Sequence, residues 1–89
     1  MLILPAVVTH AQALETTLGL QAQVASQAAD VVLDATALMQ FDSSALAVML
    51  ACRRAALAAG KTFAVHGLPA RLGQLAGLYG VADLIPAAP

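Results

Sequence analysis

The sequence is short of charge. Its 89 residues carry four lysines and arginines against five aspartates and glutamates, 10% charged in all, for a net charge of −1. Aromatic residues are scarcer still: Phe41, Phe63 and Tyr79, with no tryptophan. Sequence-independent nucleic-acid binding draws on several cationic contacts to phosphates. Arg53, Arg54, Lys61 and Arg71 form no basic stripe with interleaved aromatics, which argues against a nucleic-acid partner. Cys52 is alone, so no internal disulfide can form. His10 and His66 lie far apart, neither has a partner at metal-ligand spacing, and both read as ordinary polar residues near element ends.

Catalytic patterns are missing as well. There is neither a Gly-x-Ser-x-Gly elbow nor a phosphate-cradling Gly-x-x-x-x-Gly-Lys-Ser/Thr loop. Ser43, His66 and Asp34 make a triad on paper only, since nothing in their spacing brings a nucleophile within hydrogen-bond reach of a base. The chain is therefore expected to be no enzyme, with no catalytic residue, metal or cofactor.

Long apolar runs are absent too, although 61% of the residues are hydrophobic and the mean hydropathy is +0.84. A membrane-spanning helix needs about 20 consecutive apolar residues. Thr9, His10, Gln12, Thr16, Thr17, Gln21, Gln23, Ser26 and Gln27 break up the stretches without charge. Met1 to Pro5 has no basic n-region or cleavage site, so the expectation is a cytoplasmic protein without direct membrane insertion. The length fits one domain over 1–89. A surface with so few repelling charges suits a subunit covered by a partner, and implies a weak tendency to self-associate.

Leu2-Ile3-Leu4, ended by Pro5, reads as a short edge strand. Thr9 to Gln12 has the spacing of a capping box, opening a helix with Leu14, Leu18, Ala25 and Ala28 near one face and an end near Gln27. Val31-Val32-Leu33, bounded by Asp30 and Asp34, reads as a buried parallel strand. Asp42-Ser43-Ser44 is the strongest helix start, because aspartate and serine are favoured caps. Leu46, Met49, Leu50, Ala56 and Leu57 then recur at core spacing, Ala47, Ala51, Arg54 and Ala58 lie on another face, and Gly60 stops the helix. Cys52 reads as a small hydrophobe within it. Residues 61–66 alternate like a strand, and Leu72, Leu75, Ala76 and Tyr79 mark a third helix ending at Gly80. Residues 86–89 read as a tail. The alternation predicts an α/β domain, a small mixed sheet of about four strands with helices packed on it.

Asp42-Ser43-Ser44 has more oxygen groups than a cap needs, at a helix end where free N–H groups point outward. A hydroxyl there can bond a partner or accept a phosphoryl group. A phosphate would add about −1.5 to −2 charges and break an apolar docking surface.

Val31-Val32-Leu33-Asp34 followed by Phe41-Asp42-Ser43-Ser44-Ala45-Leu46-Ala47-Val48 resembles the signature of STAS domains, in which an apolar strand ends in Asp and an Asp-Ser/Thr-Ser/Gly-Gly/Ala-Leu motif then opens a helix. Gly60-Lys61 and Gly67-Leu68-Pro69 also fit, and the resemblance covers roughly residues 30 to 86. The N-terminal strand region is shorter than the family's. Leu75 to Val81, with Leu84-Ile85-Pro86, is similar to the MlaB-like branch of the family. That resemblance implies a non-catalytic subunit that binds and supports the ATPase of an ABC phospholipid transporter maintaining outer-membrane lipid asymmetry, peripheral to the inner membrane through that partner. It implies partner contacts at Asp42, Ser43 and Ser44, and the outward face would continue through Ala47, Ala51 and Arg54. The alternative within the family is an anti-sigma-factor antagonist, switched by phosphorylation at Ser44. With hydroxyls at both Ser43 and Ser44, the motif alone does not separate the two roles.

Overall fold

The computed structural model describes residues 1–89. The chain runs β1 (Leu2–Ile3), β2 (Val7–Val8), α1 (Ala13–Gln23), a 3-10 turn (Val24–Ser26), β3 (Asp30–Asp34), β4 (Gln40–Phe41), α2 (Ser44–Ala58), β5 (Thr62–His66), α3 (Ala70–Leu78) and a last 3-10 turn (Ala82–Leu84). The α/β reading holds. In place of one mixed sheet of about four strands, five strands form a sheet ordered β1-β3-β5 and a separate ribbon of β2 and β4. Every pairing is parallel, because each pair is joined by a crossover rather than a hairpin. β1 is an edge strand, as Pro5 requires.

The last residues are not a free tail. Val65 N–H donates to the Pro86 carbonyl and Ala88 N–H to the Val65 carbonyl, both at 2.8 Å, so this segment lies parallel against the outer edge of β5. The edge's unpaired groups supply the reason.

Period-2 alternation assigns the two faces of the sheet. Leu2, Val31, Leu33, Phe63 and Val65 are buried against the helices. Ile3, Asp30, Val32, Asp34, Thr62, Ala64 and His66 are exposed or half-buried on the other side. The run Val31-Val32-Leu33 is thus covered on one face only. Leu20 and Val24 of the α1 segment, Leu46, Met49 and Cys52 of α2, and Leu72 and Ala76 of α3 complete one core. Cys52 is the small buried hydrophobe expected, and desolvation pushes its thiol up to about 11.

The face of α1 that carries Leu14 and Leu18 is not the one that meets the core. Leu14 and Leu18 are 72% and 59% exposed, and the helix turns Ala13, Thr16, Thr17 and Leu20 inward instead. The capping box is half-formed: Thr9 N–H and hydroxyl both donate to Gln12 Oε1, at 3.0 and 2.6 Å, and the α-helix starts only at Ala13. It ends at Gln23, and Lys61 closes the 3-10 turn that follows. The Lys61 ammonium donates to the carbonyls of Val24, Ala25 and Gln27 at 2.9, 3.1 and 2.6 Å.

Candidate functional site

The site is built at the N-terminus of α2. Asp42 Oδ1 accepts from Ser44 N–H at 2.8 Å, and Oδ2 accepts from His10 N–H at 3.0 Å. These bonds, with His10 N–H first and Ser44 N–H second, hold the Asp42 carboxyl below its ordinary value of 3.8. One carboxylate therefore satisfies the helix end and ties it to the loop after β2. Ser43 occupies the N-cap position, yet its side chain makes no capping bond. With Asp42 already in place, the Ser43 hydroxyl stays exposed at the surface. Ser44 is half-buried.

The turn is anchored from beneath. Phe41 packs against the core, and the Arg71 guanidinium in the first turn of α3 lies 5.9 Å from the centre of its ring. Met39, the other large apolar residue before Asp42, is exposed. The buried residue of this turn is Leu38.

Ser43 stands at the rim of an apolar groove of about 260 Å³, lined by Ser43, Leu46, Leu50, Tyr79 and Val81. The far wall depends on how α3 stops. Gly80, at φ +72°, lets the chain fold back so that Val81 N–H donates to the Ala76 carbonyl at 2.9 Å. This places Tyr79, 59% exposed, across from α2. Neither Tyr79 nor Val81 was legible as part of the site, because the wall forms only when the end of α3 meets a helix some thirty residues earlier.

Of the remaining residues on the expected outward face, Ala47 and Arg54 are exposed. Ala51 is not: it is 6% exposed, and the Gln21 side chain from α1 reaches its carbonyl at 3.5 Å. The packing of α1 on α2 covers that position. Leu57, placed with the core by its spacing, is exposed, and Leu50 is half-buried. The outward stripe is Ser43, Ala47, Leu50, Arg54 and Leu57, at alternating steps of four and three.

Asp34 and His66 are register partners at the ends of β3 and β5. The Asp34 carboxylate accepts from the Thr36 hydroxyl and N–H at 2.7 and 2.9 Å, which, with the charge of His66 contributing less, keeps its carboxyl below the ordinary 3.8. Neither Asp34 nor His66 lines the Ser43 groove, so the paper triad is not assembled. No three histidine, cysteine, aspartate or glutamate side chains come together where they could hold a metal ion.

A short parallel sheet covered by helices on one face, with an Asp-Ser-Ser turn opening the longest helix, defines the chain as a STAS domain. The profile of the family described as "Mlab, STAS domain" matches residues 5–86, and the chain belongs to that family. No curated protein matches it. Domains of this family are generally non-catalytic accessory or regulatory modules.

Proposed function

We propose that this protein is an accessory subunit that binds and supports the ATPase of an ABC phospholipid transporter, and through it serves outer-membrane lipid asymmetry. The observation that carries this reading is the exposed Ser43 beside the apolar groove of Leu46, Leu50, Tyr79 and Val81, in a chain of the MlaB-type family. An apolar side chain of the ATPase fills the groove and the Ser43 hydroxyl bonds at its rim. Asp42 and Ser44 hold the turn, while Ala47 and Arg54 extend the contact along α2. Binding to the folded ATPase stabilises it by mass action. No chemistry is assigned to this chain, and its place is the cytoplasmic face of the inner membrane, reached through the partner.

Ser43→Glu tests the reading. A carboxylate at the rim would be desolvated against apolar walls, and the expected loss of affinity for the ATPase is on the order of 100-fold. Undiminished binding by that variant would remove Ser43 from the contact. The rival role, an anti-sigma-factor antagonist phosphorylated at Ser44, puts its acceptor at a half-buried position beside the exposed Ser43. A single phosphate added by a co-purifying serine kinase would establish that role instead.

A further inference from the structure

The outer face of the sheet is bare. Parallel sheets are almost always covered on both faces, but here every helix contribution to the core meets the inner face. The bare face has three rows. Ile3, Asp34 and His66 form one, Val32 and Ala64 the middle, and Asp30 and Thr62 the other. The small Ala64 leaves depth, and the face is the floor of a cavity of about 560 Å³ whose lining includes Val32, Ala64, Thr62, His66 and Ala88. Ile3, beside this floor, is 65% exposed.

Charge selects what can lie there. Asp30, whose Oδ1 accepts from the Thr62 hydroxyl at 2.7 Å, and Asp34 mark the two ends of β3. No lysine or arginine lines the cavity, and Met1 and Pro89, the two ends of the chain, stand in its wall. A second copy stacked face to face has these same acidic rows, His66 and the single ammonium of Met1 to offer. Its contact area would also be small, since two strands of five residues and one of two, about 4.8 Å apart, fall well short of the roughly 800 Å² per partner of a stable interface. The four steps from Asp30 to Asp34 span about 13 Å. An α-helix covers that length in about nine residues. A helix is the element that covers parallel sheets elsewhere.

We infer that the outer sheet face is a second docking surface, distinct from the Ser43 groove, that receives a basic amphipathic helix of a protein partner. The helix sets aliphatic side chains on Val32 and Ala64, and lysines or arginines at its two ends face Asp30 and Asp34. With one surface on each side of the sheet, the subunit bridges two elements of an assembly.

The test is site-directed photocrosslinking in the native cell. The tagged chain carries benzoylphenylalanine at position 64, or at position 47 as the groove-side control, and the crosslinked peptide is sequenced. The expected adduct at position 64 is a segment with apolar residues at helical spacing and lysine or arginine near both ends. Asp30→Lys is expected to lower its yield about tenfold or more while leaving the position-47 adduct unchanged, which also shows that the variant is folded. An adduct at 47 with none at 64 overturns the inference and leaves the groove reading intact. So does a lipid, a small molecule, a second copy of the chain or an acidic segment at 64, or a yield unmoved by Asp30→Lys.

Discussion

Replacing Gly67 by alanine tests how firmly the turn between β5 and α3 is fixed, and with it the position of α3, which carries Arg71 and leads into Tyr79. Gly67 sits at φ +70°, and a Cβ built there would collide with Thr36 Cγ2 and lie 3.3 Å from Thr36 Cα and Cβ. An L-residue in the left-handed region costs about 1–2 kcal/mol. Crowding into a packed neighbour costs about 1–3 kcal/mol more. Thr36 cannot simply swing its methyl away, because its hydroxyl is held 2.7 Å from Asp34 Oδ1. Restriction of the unfolded chain returns about 0.4–1 kcal/mol. The expected net loss is about 3 kcal/mol, read as the shift in urea midpoint at constant slope, or as a fall in Tm of roughly 10–20 °C. Thr36→Ser removes the offending methyl and keeps the hydroxyl. In that background Gly67→Ala is expected to cost only about 1–2 kcal/mol, the backbone part. A loss below about 0.5 kcal/mol, or an equal loss in both backgrounds, would refute the argument.

Three further outcomes are expected. Lys61→Met removes the ammonium that closes the end of the first helical segment over three carbonyls, and should cost about 1.5–3 kcal/mol by urea unfolding; a cost near zero would show that water serves those carbonyls equally well. Asp42 and Asp34 both bind their protons more weakly folded than unfolded, their carboxyls lying below 3.8. The stability they contribute is therefore fully present above that value and lost as pH falls through the lower folded value. Urea midpoints measured down the acid limb should fall less steeply for Asp42→Asn than for the parent, and identical limbs would contradict the bonding described. Cys52, buried and with its thiol pushed up to about 11, should resist iodoacetamide at mildly alkaline pH and react fully once urea unfolds the chain; rapid labelling of the native protein would show that the α2 core face opens.

The order of the three helices and of β1, β3 and β5 was legible because each of these elements carries its own punctuation, whereas β2 and β4, two residues each, carry none. Pro5 ends β1, Asp42 opens α2, Gly60 and Gly80 follow the ends of α2 and α3, and residues 62–66 alternate. The face of α1 was not legible. In a chain so rich in alanine and leucine, apolar residues fall on every side of a helix, and α1 turns two threonines toward the core while Leu14 and Leu18 face solvent. The same low contrast put Ala51 outside and Leu57 inside, the reverse of where α1 packing leaves them. At the site, Asp42, Ser43 and Ser44 were visible because a cap is local. The groove beside them was invisible because Tyr79 and Val81 arrive from another element. The strand-like pairing of residues 86–88 escaped for a related reason, since its partner edge on β5 is a tertiary feature and Pro86 and Pro89 read as punctuation.

The central claim is that the Ser43 groove binds a transporter ATPase. The most direct measurement is parallel purification of the tagged parent and Ser43→Glu chains from the native cell, with co-purifying proteins quantified by mass spectrometry and equal folding of the two chains checked by circular dichroism. The expected result is an ABC ATPase with its permease on the parent and their loss from Ser43→Glu. Equal recovery on both chains, or recovery of a serine kinase or sigma-factor regulator in place of the ATPase, would contradict the account.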